Sequence, residues 1–320
     1  MKFGEYRWEI AMLYGYTVRR GHEIVARFPW DIGIVAFMIF PDLTQLTKDF
    51  SERLKPLIAD PFFDLIEMTP IVDDVEWNKV AKLNEDYEKR FALALQPLII
   101  NRGLNVNALD EVERRKAVEF ILNEVRRAGL RGMKAVGLCS GPNVEGPNRE
   151  VAMEALVKSL TEIGSEASKY GMKVFLETFD IMWDRKRLVG PLSETVKVVE
   201  KVREAVRDVY IMWDLSHAPL LNEGPEVLKS YPEFVGHIHI GCGKKVGDKL
   251  LDTHPGFYRP GALNTEVDVV RLLRVLHDIG YKGAISFEIK PEQDQNPFEA
   301  LNAGKGVLLR AFQLYLDSIL

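Results

Sequence analysis

Short apolar runs alternate with amphipathic stretches from Asp31 to the end of the chain. The runs cover 32–40, 62–68, 91–100, 133–139, 172–177, 209–214, 234–240 and 283–289. Most lack polar alternation and are rich in Val, Ile, Leu and Phe, as expected of strands buried on both faces. Between them the spacing of apolar positions predicts helices, most clearly over 109–129, 149–171, 265–280 and 297–320. Several of these stretches end in Gly, a common helix stop. Strand-like runs that alternate with helical ones in this number predict an α/β fold, a single-domain (β/α)8 TIM barrel over residues 31–320. A doubly wound open sheet is the competing arrangement, but it rarely needs eight repeats. Residues 1–30 fall outside the count. They carry Trp8, Tyr14, Tyr16 and Trp30, and form an N-terminal extension expected to pack on the barrel or cap it.

In such a barrel the loops after the strands build the active site, so polar groups at strand C-termini are the ones to weigh. Four consecutive runs end in metal-capable residues: MKVFLE in Glu177, VYIMWD in Asp214, FVGHIHI in His239 and GAISFEI in Glu288. Each follows a buried apolar run, where an unpaired charge is costly. Three neighbouring carboxylates also repel one another unless a cation lies between them. A divalent ion resolves both difficulties. The oxygen-rich set favours Mn²⁺, Mg²⁺ or Co²⁺, and the imidazole also admits Zn²⁺. His237 and His239, two apart, share one side of their strand, and the one nearer the C-terminal end, His239, is expected to reach the metal. His237 is assigned a deeper, supporting place. Glu67 ends the second run, where a salt bridge inside the mouth is its expected role.

Composition narrows the partners. The net charge of -5 at pH 7 argues against a nucleic-acid partner, and no apolar stretch approaches the roughly 20 residues of a membrane helix. Two cysteines, Cys139 and Cys242, suggest no disulfide framework, and the N-terminus lacks the pattern of a signal peptide. A cytoplasmic protein is expected.

The order of Glu on the fifth strand, D-x-x-H on the sixth, H-x-H on the seventh and Glu on the eighth resembles the xylose-isomerase-like TIM-barrel superfamily. That group includes ketose 3-epimerases, hydroxypyruvate isomerase, inosose dehydratase and the endonuclease IV group. The resemblance implies that Glu177, Asp214, His239 and Glu288 are metal ligands, that Glu177 and Glu288 are also the catalytic pair, and that His217 contacts substrate. The segment LDTHPGFYRPGALN (251–264) resembles the stretch that brings Asp252 and His254 to the mouth. In endonuclease IV-like members the equivalents of His217, Asp252 and His254 bind a further zinc, which implies a second metal here.

There are departures. Trp183 stands where ketose 3-epimerases usually have a second Glu, and Lys245 where they place an Arg. The strand ends IEMTP and LCSGP lack the extra zinc-binding histidines of endonuclease IV. The implied activity is a divalent-metal-dependent sugar isomerase or epimerase of carbohydrate metabolism. It takes a proton α to a carbonyl through a metal-stabilised enediolate, with His217, Lys245, Asp252 and His254 around the substrate. An inosose-dehydratase-like lyase, an endonuclease IV-like phosphodiesterase and a non-catalytic sugar-binding barrel are the alternatives. A homodimer or homotetramer is expected.

Overall fold

Each apolar run yields a strand, and in two of them, 32–40 and 91–100, the strand stops well before the run does because the chain turns outward at the mouth. In the computed structural model, which describes residues 13–19 and 21–319, eight parallel strands close into a barrel. They are β3 (Asp31–Val35), β4 (Leu65–Met68), β5 (Arg90–Ala94), β6 (Ala135–Cys139), β7 (Lys173–Glu177), β8 (Val209–Asp214), β9 (Val235–Ile240) and β12 (Ala284–Phe287), with β12 pairing back onto β3. The first run is shorter than its apolar length suggests: after Val35 the chain becomes a short helix, Ala36–Ile39. The third run divides at the mouth into β5 and the helix Gln96–Asn101, whose early Pro97 suits a first helical turn and cannot continue a central strand.

The predicted helices appear with small shifts at their ends. Asp110 accepts from the backbone N–H of Glu113 and starts the helix Glu111–Leu130. Thr265 and Asp268 form a capping box that starts Glu266–Asp278. The helices Arg149–Ser168 and Pro297–Ile319 complete the four. No helix among the described residues is long and apolar enough to cross a membrane.

The described part of the N-terminal extension is a hairpin, β1 (Tyr14–Arg19) with β2 (His22–Arg27). It leans on the C-terminal helix: Phe28 packs edge-on against Phe312, with ring centroids 5.0 Å apart, and Trp30 donates from Nε1 to the carbonyl of Tyr281 at 3.0 Å. A Cβ on Gly15 would stand 2.4 Å from Leu316 Cδ1, so close approach requires glycine there. Trp8 lies outside the described residues.

Register decides what meets at the mouth. Asp214 on β8 is level with His239 on β9, and the backbone N–H of Glu288 donates to the carbonyl of Ile240. Glu177 on β7 pairs with Met212, two residues before Asp214. A further hairpin, β10 (Lys244–Val246) with β11 (Lys249–Leu251), follows β9 and feeds the loop that carries Asp252 and His254.

Candidate active site

The four strand-end residues form one cage. Glu177, Asp214, His239 and Glu288 each offer a ligand atom, and these atoms all lie within 4.8 Å of one another. All four side chains are buried. His239 Nδ1 is 2.7 Å from Glu288 Oε2 and 3.8 Å from Glu177 Oε1, so this nitrogen faces the cage.

The opposite nitrogen, Nε2, lies 3.2 Å from both carboxylate oxygens of Glu67. Glu67 in turn sits 2.7 Å from His237 Nε2. Glu67 is therefore paired with two histidines rather than with a Lys or Arg. It occupies the place of a carboxylate that fixes the ring of a metal-ligating imidazole from behind.

Glu177 is supported from the other side. Gln96, at the start of the short helix after β5, donates from Nε2 to Glu177 Oε2 at 2.8 Å. The second oxygen, Oε1, is buried and has no hydrogen-bond partner. A buried carboxylate oxygen without a donor is costly, and a cation between the three carboxylates would satisfy it. Orphan oxygen, donor types and spacing thus fit a divalent cation.

Next to the cage lies a second group around His217. Its Nδ1 is 2.7 Å from the carbonyl of Thr178, and its Nε2 is 3.1 Å from Asp252 Oδ1 and 3.4 Å from Asp214 Oδ2. His254 bridges the two groups, with Nε2 3.0 Å from Asp214 Oδ2 and Nδ1 2.9 Å from Asp252 Oδ1. Asp214, His217 and His254 also have ligand atoms within 4.8 Å of one another. His254 adopts a left-handed backbone at φ 52°, uncommon outside glycine, and its carbonyl accepts from the N–H of Lys290.

Asp252 is further tied to Arg185, whose Nε donates to Oδ2 at 2.9 Å. That arginine is delivered by Asp180, a fully buried residue that accepts the backbone N–H groups of Trp183, Asp184 and Arg185. Asp184, beside the position that departs from the epimerase pattern, accepts the backbone N–H of Asp252 and so braces the loop.

Electrostatics follow from this crowding. Burial, reinforced by Glu288, raises Glu177 to about 8. Burial alone would lower His217, yet Asp252 and Asp214 outweigh it and raise the ring to about 10. His239 and His254 are likewise held charged against burial, by Glu67 and Glu288 for the first and by Glu288 and Asp252 for the second. Asp214 is drawn low despite burial, chiefly by His217 and His254. Cys139 and Cys242 are both pushed up to about 12 by burial, consistent with packing roles.

Of the residues expected at the site, the structure brings together Glu177, Asp214, His217, His239, Asp252, His254 and Glu288. Lys245 stands apart, exposed on β10, where its backbone N–H donates to the carbonyl of Gly261. Its neighbour Lys244 is the one engaged, in an ion pair with Glu292. Sequence reasoning passed over Gln96, Asp180 and Arg185. Gln96 had left a signal, a lone amide in the run FALALQPLII.

A family model described as xylose isomerase-like TIM barrel matches residues 62–310. A curated relative, a probable endonuclease 4 from Acholeplasma laidlawii (strain PG-8A), is 26% identical over 162 residues. That match covers 47% of this chain and 53% of the relative, about half the length of each. Among solved structures, a D-psicose 3-epimerase from Clostridium cellulolyticum H10 crystallised with D-tagatose superposes with a TM-score of 0.64 at 17% identity, covering 90% of this chain and 97% of its own. An L-ribulose 3-epimerase gives 0.66 at 19%, over 90% and 95% of the two chains. An IOLI protein with a bound zinc atom gives 0.67 at 17%, over 89% and 99%. At these identities the likeness is one of fold.

Proposed function

We propose that this chain, which belongs to the xylose isomerase-like TIM-barrel family, is a divalent-metal-dependent isomerase or epimerase of a ketose or related sugar. The observation that carries the reading is Glu177 Oε1, a buried oxygen without a partner at the centre of three carboxylates and an imidazole. Glu177, Asp214, His239 and Glu288 would hold the cation, which when bound supplies Lewis-acid polarisation of a substrate carbonyl.

The chain's own residues account for the proton movements. Glu177 and Glu288 come from strands separated by β8 and β9, so they flank the substrate position from two sides. Glu177, once ionised, takes the proton α to the carbonyl at one of its carboxylate oxygens. Glu288 returns a proton to the opposite face in an epimerisation, or to the neighbouring carbon in an isomerisation. The charged ring of His217 orients substrate oxygens. Gln96 and Glu67 keep Glu177 and His239 in place, and the Arg185–Asp252 pair holds the far wall.

Asp214, His217 and His254 can take a second cation, a reading supported by their mutual spacing, with Asp252 against both histidines. That site would also suit a phosphodiesterase of the kind named for the bacterial relative. Against it, β4 and β6 lead into Met68–Thr69 and Cys139–Ser140 rather than into histidines. Loss of water from an inosose, the lyase reading, would use the same cage.

Metal content by mass spectrometry separates one ion from several. Incubation of the loaded protein with ketoses and inososes in D₂O should then place solvent deuterium on the carbon α to the carbonyl. Exchange that persists in a Glu177→Gln, Glu288→Gln double variant would sink the proposal.

A further inference from the structure

The lower half of the barrel is not filled. TIM-barrel interiors are usually packed with bulky branched side chains. Here a cavity of about 590 Å³ opens at the N-terminal mouth and runs up to the ring of His237. Small residues leave the room: Ala92, Ala135, Gly236 and Ala284 line it. Gly33 on β3 pairs with Ser286 on β12, where a Cβ would stand 2.1 Å from Ser286 Oγ. His237 closes the top, stacked on Phe175 with ring centroids 5.4 Å apart and tied through Nε2 to Glu67 and Ser286.

The charge of this opening is one-sided. Six cationic side chains and one carboxylate, Asp31, line it, in a protein whose net charge is -5. Three of the cations are already committed. Arg90 pairs with Asp31 at 2.7 Å, Arg131 with Asp74 at 2.6 Å, and Lys89 donates to the carbonyls of Asp60 and Phe63.

Lys134, Lys173 and Lys282 are different. Lys134 donates only to the carbonyl of Tyr170, at 3.2 Å, and Lys173 lies 5.3 Å from the centre of the Tyr210 ring. Among the described residues none of the three has a carboxylate partner. Strand alternation places Lys173 on the same face of β7 as Phe175, which lines the cavity, so the charge is aimed inward. Like charges are gathered here around a concave, partly apolar space whose one carboxylate, Asp31, is paired with Arg90. Such an arrangement focuses the field and attracts an anion.

We propose that the N-terminal mouth of the barrel is a second binding site, for a small ligand bearing a phosphate or carboxylate group. The oxyanion sits among Lys134, Lys173 and Lys282, and the rest of the ligand rests on Phe91 and Phe175. The ceiling of His237 limits the ligand to a small molecule. This site is separate from the cage and does not depend on the reaction assigned there.

Isothermal titration of the metal-loaded protein with inorganic phosphate, and separately with succinate, tests the site. Sodium chloride at matched ionic strength controls for screening. The expected result is saturable binding of at least one of the two probes at one site per chain, and the better probe tells phosphate from carboxylate. Binding should weaken at least tenfold in Lys173→Glu with Lys282→Glu, and by a smaller factor in the gentler Lys134→Gln, Lys173→Gln, Lys282→Gln triple variant. Metal content should stay unchanged in both. Non-saturable titrations with both probes, or equal affinity in the charge-altered variants, would overturn the proposal. So would binding that is lost in Glu288→Gln but kept in the lysine variants, which would place the anion at the metal.

Discussion

β7 begins at Lys173 and ends at Glu177, and β12 is preceded by Lys282 and followed by Glu288. The same strands thus carry cations to one mouth of the barrel and carboxylates to the other. At the C-terminal mouth the acids are buried, linked to His217, His239 and His254, and arranged so that one oxygen lacks a donor. At the N-terminal mouth Lys134, Lys173 and Lys282 are exposed, Lys134 reaching a backbone carbonyl and Lys173 a ring, and they line open space. The difference teaches that burial, more than charge itself, dictates how strongly a site announces itself. A buried acid cluster must be resolved by a partner, whereas an exposed basic cluster merely invites one.

Between the mouths stand His237 and Glu67, and changes there separate the two ends most sharply. Replacing Glu67 with Leu removes the carboxylate behind His239 and should weaken metal affinity by about 10- to 100-fold, the usual effect of losing a group that orients a ligand. Glu67→Gln, which still offers an oxygen to the ring, should recover part of that loss. Competition titration with a metal chelator measures both. Equal affinity in wild type and Glu67→Leu would show that His239 needs no support from below.

A pH series probes the C-terminal mouth by itself. Glu177 and His217 both bind protons more tightly in the folded chain, with values of about 8 and about 10. Their ordinary values are roughly 4.3 and 6.5. The stabilisation from Glu177 is complete below its ordinary value and is lost as pH rises through about 8; that from His217 is lost through about 10. Metal-free protein should therefore show a falling melting temperature between pH 7 and 10, while metal-loaded protein, whose cage no longer relies on protons, should fall less. Parallel curves for the two forms would break the link between the cage protons and the cation.

A stability test addresses the contact between β3 and β12. Gly33→Ala forces a methyl against Ser286 Oγ and should cost about 1–3 kcal/mol in urea unfolding, the range for overpacking a filled position. Adding Ser286→Gly should restore much of it. Failure of that rescue would mean that the collision lies beyond Ser286, with Leu65, whose Cβ stands at 3.4 Å.

Much of the barrel and the cage was legible because both follow from local rules. Long apolar runs between amphipathic stretches specify buried parallel strands, and a charged residue at the end of such a run has little choice but to face the mouth. Register then brings Asp214 and His239 level without further information. Glu67 was harder to place, because its partners His237 and His239 lie some 170 positions away in sequence and only closure of the barrel joins them. Lys245 looked equivalent to an epimerase arginine by spacing, yet the β10–β11 hairpin turns it out to solvent. The N-terminal lysines left no signal, since a lysine at a strand start resembles any solvated surface residue until the lumen beneath it is seen to be open.

All four cage donors lie between residues 177 and 288, on the last four strands of the barrel, and the final seam joins β12 to β3. Seen as a sequence of events during synthesis, Glu67 and Gln96 are made first and wait, while Glu288 arrives only when nearly the whole chain has emerged. The cage cannot exist in a half-made barrel. A divalent ion held there would be taken up by the finished fold and not by its precursors, and would act as a late latch on the last seam to close.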